Sequence, residues 1–169
     1  IILHHGVVQN VYGGGNAGNM NGAKEYTDAC GNLVSGVSTY IKVDNPNVTV
    51  QGDIYGGCRM ADVKGMAYID IRSTTEEGIL AVYGGNDVGG SVNGNTRIDV
   101  SGGKVHHIYG GSNGGYDYDR ITNTDYMVYE FGSDHTDGAN LVAAHASGRP
   151  FVDSTTIHLW GGTFYENVY

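Results

Sequence analysis

Proline, cysteine and positive charge are all scarce in this chain, and each scarcity excludes something. Two prolines in 169 residues leave no Pro-rich linker and few interruptions of backbone pairing. Nine Lys and Arg stand against eighteen Asp and Glu, for a net charge of −9, and they form no stripe or cluster. That balance argues against nucleic acid as a partner. No apolar run approaches the roughly 20 residues of a membrane span, so no membrane insertion is expected within this segment. Cys30 and Cys58 permit at most one disulfide, and their spacing resembles no zinc site. A bridge and two small unbridged side chains both remain open.

Glycine, by contrast, is abundant: 29 residues, placed at fixed motif positions rather than in a low-complexity tract. Val11-Tyr12-Gly13-Gly14, Ile54-Tyr55-Gly56-Gly57, Val82-Tyr83-Gly84-Gly85 and Ile108-Tyr109-Gly110-Gly111 are one motif, and Val168-Tyr169 opens another copy. Between copies runs an alternating strand: Thr39-Tyr40-Ile41-Lys42-Val43, Ala67-Tyr68-Ile69-Asp70-Ile71, Thr96-Arg97-Ile98-Asp99-Val100 and Thr155-Thr156-Ile157-His158-Leu159. Period-2 alternation puts the aliphatic residues on one face and the charged ones on the other, which predicts half-buried strands. Gly102-Gly103 and Gly161-Gly162 then lead back to the next motif through turns that accept positive φ.

Repetition at this period predicts a stacked architecture in which each unit buries its apolar face against its neighbours. The expected fold is all-β: a parallel β-solenoid, as a right-handed β-helix, over 1–169. Because the chain opens and closes inside a repeat, it reads as a fragment of a longer repeat protein, with flanking repeats of the same chain as partners. Counting from the aliphatic residue of each Val/Ile-Tyr pair turns that residue inward and the tyrosine outward. Successive tyrosines then form a ladder about 4.8 Å apart.

Insertions of about 16–36 and 112–154 leave the repeat at the same corner, just after Tyr-Gly-Gly. If each unit is one turn, they stand three turns apart, roughly 14 Å at strand spacing. Two walls of a shallow groove, floored by the short corners between them, are the expectation. Such a groove suits an extended glycan or a peptide strand.

The longer insertion holds most of the unusual chemistry. Tyr116, Asp117, Tyr118, Asp119, Tyr126, Tyr129 and Glu130 pair aromatic rings with carboxylates, as a carbohydrate site does. The plainer reading is an acidic solvated loop anchored by its tyrosines. Asp134, His135 and Asp137 can present two carboxylates and an imidazole to a divalent metal, and residues 139–146 fit one or two helical turns. Asn16, Asn86, Asp87 and Asn113 make oxygen-rich corners that suit calcium or simply turn geometry. The stretch 84–90 fails the calcium-binding nonapeptide pattern. No Ser-His-Asp order, phosphate-binding loop or HExxH motif is present, so no catalytic residue is assigned and the reading leans away from an enzyme.

The recurring order of (V/I)YGG, Thr-x-Ile-x-Val, Gly-Gly-x-Val and (V/I)YGG resembles the Gly-rich β-solenoid repeats of large bacterial cell-surface proteins. Adhesin-like and autotransporter-passenger-like β-helices are among these. The resemblance implies a secreted, extracellular or cell-surface location and a structural or adhesive role, with a surface glycan or a host protein as ligand. A polysaccharide-degrading β-helix enzyme and a phage tail-spike or fibre segment are the alternatives.

Overall fold

The computed structural model describes residues 1–113 and 150–169, and every regular element among them is a β-strand. In chain order these are β1 (Ile2–Leu3), β2 (Gly6–Val8), β3 (Val11–Tyr12), β4 (Lys24–Thr27), β5 (Leu33–Asp44), β6 (Val48–Val50) and β7 (Asp53–Tyr55). There follow β8 (Met66–Ser73), β9 (Ile79–Tyr83), β10 (Ser91–Val100), β11 (Lys104–Tyr109), β12 (Phe151–Leu159) and β13 (Thr163–Phe164). One parallel sheet has the order β1-β5-β8-β10-β12, with β4 added antiparallel along β5. A second parallel sheet has the order β13-β11-β9-β7-β3, and a short pair joins β2 to β6. The chain therefore alternates between sheets. The expectation of an all-β fold built from parallel strands is met.

Register follows the sequence repeat. Thr39, Ala67, Thr96 and Thr155 form one row across the first sheet, Ile41, Ile69, Ile98 and Ile157 the next inward one. These isoleucines pack against Val11, Ile54, Val82 and Ile108 of the second sheet in a single apolar cluster. Each fully buried isoleucine contributes about 1.5–3 kcal/mol. The aliphatic residue of each Val/Ile-Tyr pair thus points inward, as alternation requires, and the tyrosine points out.

Between the two sheets lies the Tyr-Gly-Gly corner, and its first glycine is a matter of space. A Cβ on Gly56 would sit 2.3 Å from the carbonyl oxygen of Gly84, and one on Gly84 2.4 Å from that of Gly110. Neither residue has a positive φ. Corners of successive units stack directly, with Gly14, Gly57 and Gly85 donating N–H bonds of 3.0 Å to Gly57, Gly85 and Gly111. Thr39 and Thr96 tie the first sheet to this stack, donating their hydroxyls to Gly56 and Gly110 carbonyls at 2.6 and 2.5 Å. The other glycine turns differ: Gly103 and Gly162 have φ of 85° and 102°, a conformation that favours glycine.

Part of the first insertion packs along the first sheet. Strand β4 returns antiparallel along the start of β5, and Tyr26 stacks on Tyr40 with ring centroids 3.9 Å apart. Val34, Val37, Tyr40 and Tyr68, flanked by Tyr26 and Met66, make a second apolar cluster there. The strand pairing and the tyrosine stack hold the hairpin against the first sheet. Its start also joins the stacked corners, where Met20 bridges to Val63 and Val63 to Val92.

Candidate functional site

Every predicted ligand residue of the longer insertion (Tyr116, Asp117, Tyr118, Asp119, Tyr126, Tyr129 and Glu130) lies outside the described residues. So do Asp134, His135, Asp137 and the helical turns expected at 139–146. What the structure describes are the stacked corners and the tyrosine column.

At the corner, Asn86 is fully buried and committed to the fold. Its Oδ1 accepts the Cys58 N–H at 2.8 Å, and its Nδ2 donates to the carbonyls of Ala61 and Gly89 at 2.9 and 3.0 Å. Its carbonyl accepts the Asn113 N–H. Each Asn86 oxygen thus accepts a backbone N–H, a role that serves turn geometry. Asp87 accepts the Tyr12 hydroxyl and the Asn113 amide, each at 3.0 Å, and lies 3.8 Å from the Arg59 guanidinium. Among the described residues no three His, Cys, Asp or Glu side chains gather closely enough to hold a metal ion. Cys30 is exposed, Cys58 is buried, and the two are unbridged.

The tyrosines Tyr12, Tyr55, Tyr83, Tyr109 and Tyr169 form one column, ring centroids 4.8 to 5.2 Å apart and planes within 8°. Such stacking uses both faces of every inner ring. A sugar or base needs an open face to lie on, so the inner rings Tyr55, Tyr83 and Tyr109 offer ligands only edges and hydroxyls. Burial and the neighbouring Asp87 push the Tyr12 phenol up to about 12. Tyr55 donates to Asp53 at 3.2 Å, and burial of the Asp53 carboxyl, aided by Asp87, holds it above the usual carboxylate range.

Carboxylates also gather on the outer face of the first sheet, where alternation predicts solvent. Asp70 and Asp99 are register partners on adjacent strands, and both are 0 % exposed. Arg72 binds Asp70 through Nε and Nη2, at 2.9 and 2.6 Å to one oxygen, and Tyr40 donates to the same oxygen at 3.2 Å. Asp99 is held by Arg97, by the Tyr68 hydroxyl at 2.8 Å and by His158 at 2.8 Å. Arg97 continues to Asp28 of the first insertion at 2.9 Å. Burial, followed by the nearby Asp70 and Asp99, raises the Tyr68 phenol far above its ordinary value.

A glycosidase pair needs one protonatable acid and open space between the carboxyls for sugar or water. Here each carboxylate is covered and bound to a guanidinium, so this pair is structural. Sequence reasoning missed the network, although its signal was present: Asp70 with Arg72, and Arg97 with Asp99, are two apart and therefore share a strand face.

The described residues define an all-β protein of parallel sheets with stacked repeat corners and a structural rather than catalytic set of buried acids. Compared with protein-family models, curated proteins and solved structures, the chain matches none.

Proposed function

We propose that the chain is a structural and adhesive segment of a secreted or cell-surface bacterial repeat protein, coiled as a right-handed parallel β-solenoid. The observation that carries this reading is the tyrosine column: five motif tyrosines from successive units stack in register, so the repeat works as a spacing device. A right-handed coil accords with the strong preference of parallel strand crossovers for that hand.

Within that scaffold the two insertions divide the work. Hairpin 24–37 is tied to the first sheet by strand pairing, the Tyr26–Tyr40 stack and the Asp28–Arg97 ion pair. Contact with a surface glycan or host protein is therefore assigned to residues 112–154, whose tyrosines and acids carry the suitable chemistry. The test replaces 112–154 by a short corner copied from residues 86–91 and measures retention on immobilised glycans alongside thermal melting. Lost retention with an unchanged melting temperature is the expected result. Equal retention by both proteins removes the assignment, and release of new reducing ends by the intact chain replaces adhesion with hydrolysis.

A further inference from the structure

The corner opposite the insertions, where the chain passes from the first sheet to the second, opens into a groove of about 550 Å³. Its origin lies in unequal connections. In the first two units β2 and β6 pair, setting Val8 on Val50, and backbone bonds of 2.9 and 2.7 Å (Gln51 to Val8, Gly52 to Gln9) bring Gln9 beside Gln51. The third unit has no matching strand. It crosses instead through a turn closed by the Gly78 N–H on the Thr75 carbonyl, with Gly78 at φ 80°. Among the described residues β6 therefore has no strand on its second edge, and the groove lies between β6 and this turn.

Its lining combines apolar surface with uncommitted polar groups. Val50 lies buried at the groove, and Leu80 is 54 % exposed on its side. Gln9, Thr49, Gln51 and Glu77 also line it, and among the described residues none of their side chains hydrogen-bonds or pairs within the chain. Nearby surface groups behave otherwise: Asp44 pairs with Lys42, and Glu76 with Lys104. His106 closes one side, its Nε2 3.3 Å from the Glu77 carbonyl and its ring 4.8 Å from that of Tyr165.

We propose that this groove binds an uncharged oligosaccharide. Two amides and a hydroxyl offer donors and acceptors together, a carboxylate adds an acceptor, and the exposed leucine meets the C–H face of a sugar ring. The volume falls within the roughly 300–1,000 Å³ of small-molecule sites. Among the described residues no Lys or Arg lines the groove, which disfavours phosphorylated or sulfated ligands. A peptide adding as a strand needs a run of free backbone groups, and β6 offers three residues. The lining residues named here all lie outside 112–154, and the proposal does not depend on the adhesive role proposed for that insertion.

The experiment titrates the isotope-labelled full chain with cellohexaose, maltohexaose and chitohexaose, and with a heparin hexasaccharide and an alternating Thr-Val octapeptide. At least one neutral hexasaccharide shifts the side-chain amide resonances of Gln9 and Gln51. The double variant Gln51→Ala, Leu80→Ala, which changes two exposed side chains, binds it at least tenfold more weakly while melting as the parent does. The protein with 112–154 replaced binds it unchanged, which separates this site from the insertion. The proposal is overturned if no neutral hexasaccharide moves those resonances, if only the heparin fragment or the peptide does, or if the double variant binds as tightly as the parent.

Discussion

Asp28 and Arg97, 69 residues apart in sequence, meet in an ion pair of 2.9 Å that ties the first insertion to the third alternating strand. Asp28 is prepared for this contact by its own loop, accepting the N–H groups of Cys30 and Asn32 at 2.9 and 2.8 Å. Arg97 passes the link to Asp99, and Asp99 to Tyr68 and His158. The first insertion is thus part of the body of the protein.

Removing Asp28 leaves Arg97 half-neutralised beneath the hairpin and three loop donors, the Cys30 and Asn32 N–H groups and the Asn32 side-chain amide, without their acceptor. Asp28→Ala is expected to destabilise the fold by about 2–4 kcal/mol, lowering the melting temperature by roughly 5–15 °C. Asp28→Asn, which keeps an acceptor for the loop, loses less. Calorimetric melting of the two variants beside the parent measures both; equal melting of all three proteins would show the ion pair to be idle.

Acid should weaken the same contact. Burial alone would raise the Asp28 carboxyl, but the bonds from Asn32, Cys30 and Arg97 outweigh it and hold the group below its ordinary value of 3.8. The Lys42 ammonium does the same for Asp44. A depressed carboxyl stabilises the fold above its unfolded value and loses that contribution as pH falls through the folded one. Stability therefore drops below about pH 4, and the drop is smaller in Asp28→Asn. Denaturant midpoints measured across that window provide the check.

Asp53 has the opposite sign. Its raised carboxyl binds a proton more tightly when folded, so the ionised form costs stability at neutral pH and the cost fades on acidification. Asp53→Asn should melt at or above the parent temperature at pH 7, with the advantage shrinking toward pH 4. A variant that melts lower at pH 7 would assign the carboxylate a favourable role.

Each inner tyrosine carries two stacked contacts. Tyr83→Ala removes those to Tyr55 and Tyr109, a loss of about 2–4 kcal/mol from stacking and buried area together. Tyr83→Phe keeps both faces and should cost less than about 1 kcal/mol. Urea unfolding of the pair tests whether the rings or their hydroxyls matter.

Glycine substitutions should divide by position. A methyl on Gly84 meets the Gly110 carbonyl and the Thr96 side chain, whereas among the described residues one on Gly18 meets nothing within 4 Å. Gly84→Ala is expected to lose at least about 3 kcal/mol or to fail to fold, and Gly18→Ala to stay within about 0.5 kcal/mol of the parent. Similar effects at both sites would contradict the stacked-corner geometry.

The strands and their inward rows were legible because burial in this fold follows period-2 alternation, and Ile41, Ile69 and Ile98 obey it. The tyrosine column was legible as well, since equal spacing within the repeat forces equal position. Asp70 and Asp99 were not, because alternation assigns them to solvent, whereas Tyr40, Tyr68, Arg72 and Arg97 close over them and are tied in turn to the 24–37 hairpin. That hairpin depends on pairing Lys24–Thr27 with a strand extension, Leu33–Val37, that the repeat itself does not contain. The groove at Gln9, Thr49, Gln51 and Leu80 was hidden for a related reason. It arises where the third unit lacks the strand that the first two share, and a motif-based reading follows what recurs.

The most direct test of the stacked repeat is magnetisation transfer between tyrosine rings in protein labelled at tyrosine alone. Ring-to-ring cross-peaks are expected for Tyr12 with Tyr55, Tyr55 with Tyr83, Tyr83 with Tyr109 and Tyr109 with Tyr169, and none for Tyr12 with Tyr83. Rings that show no contact with one another, or contacts that skip a unit, would contradict it.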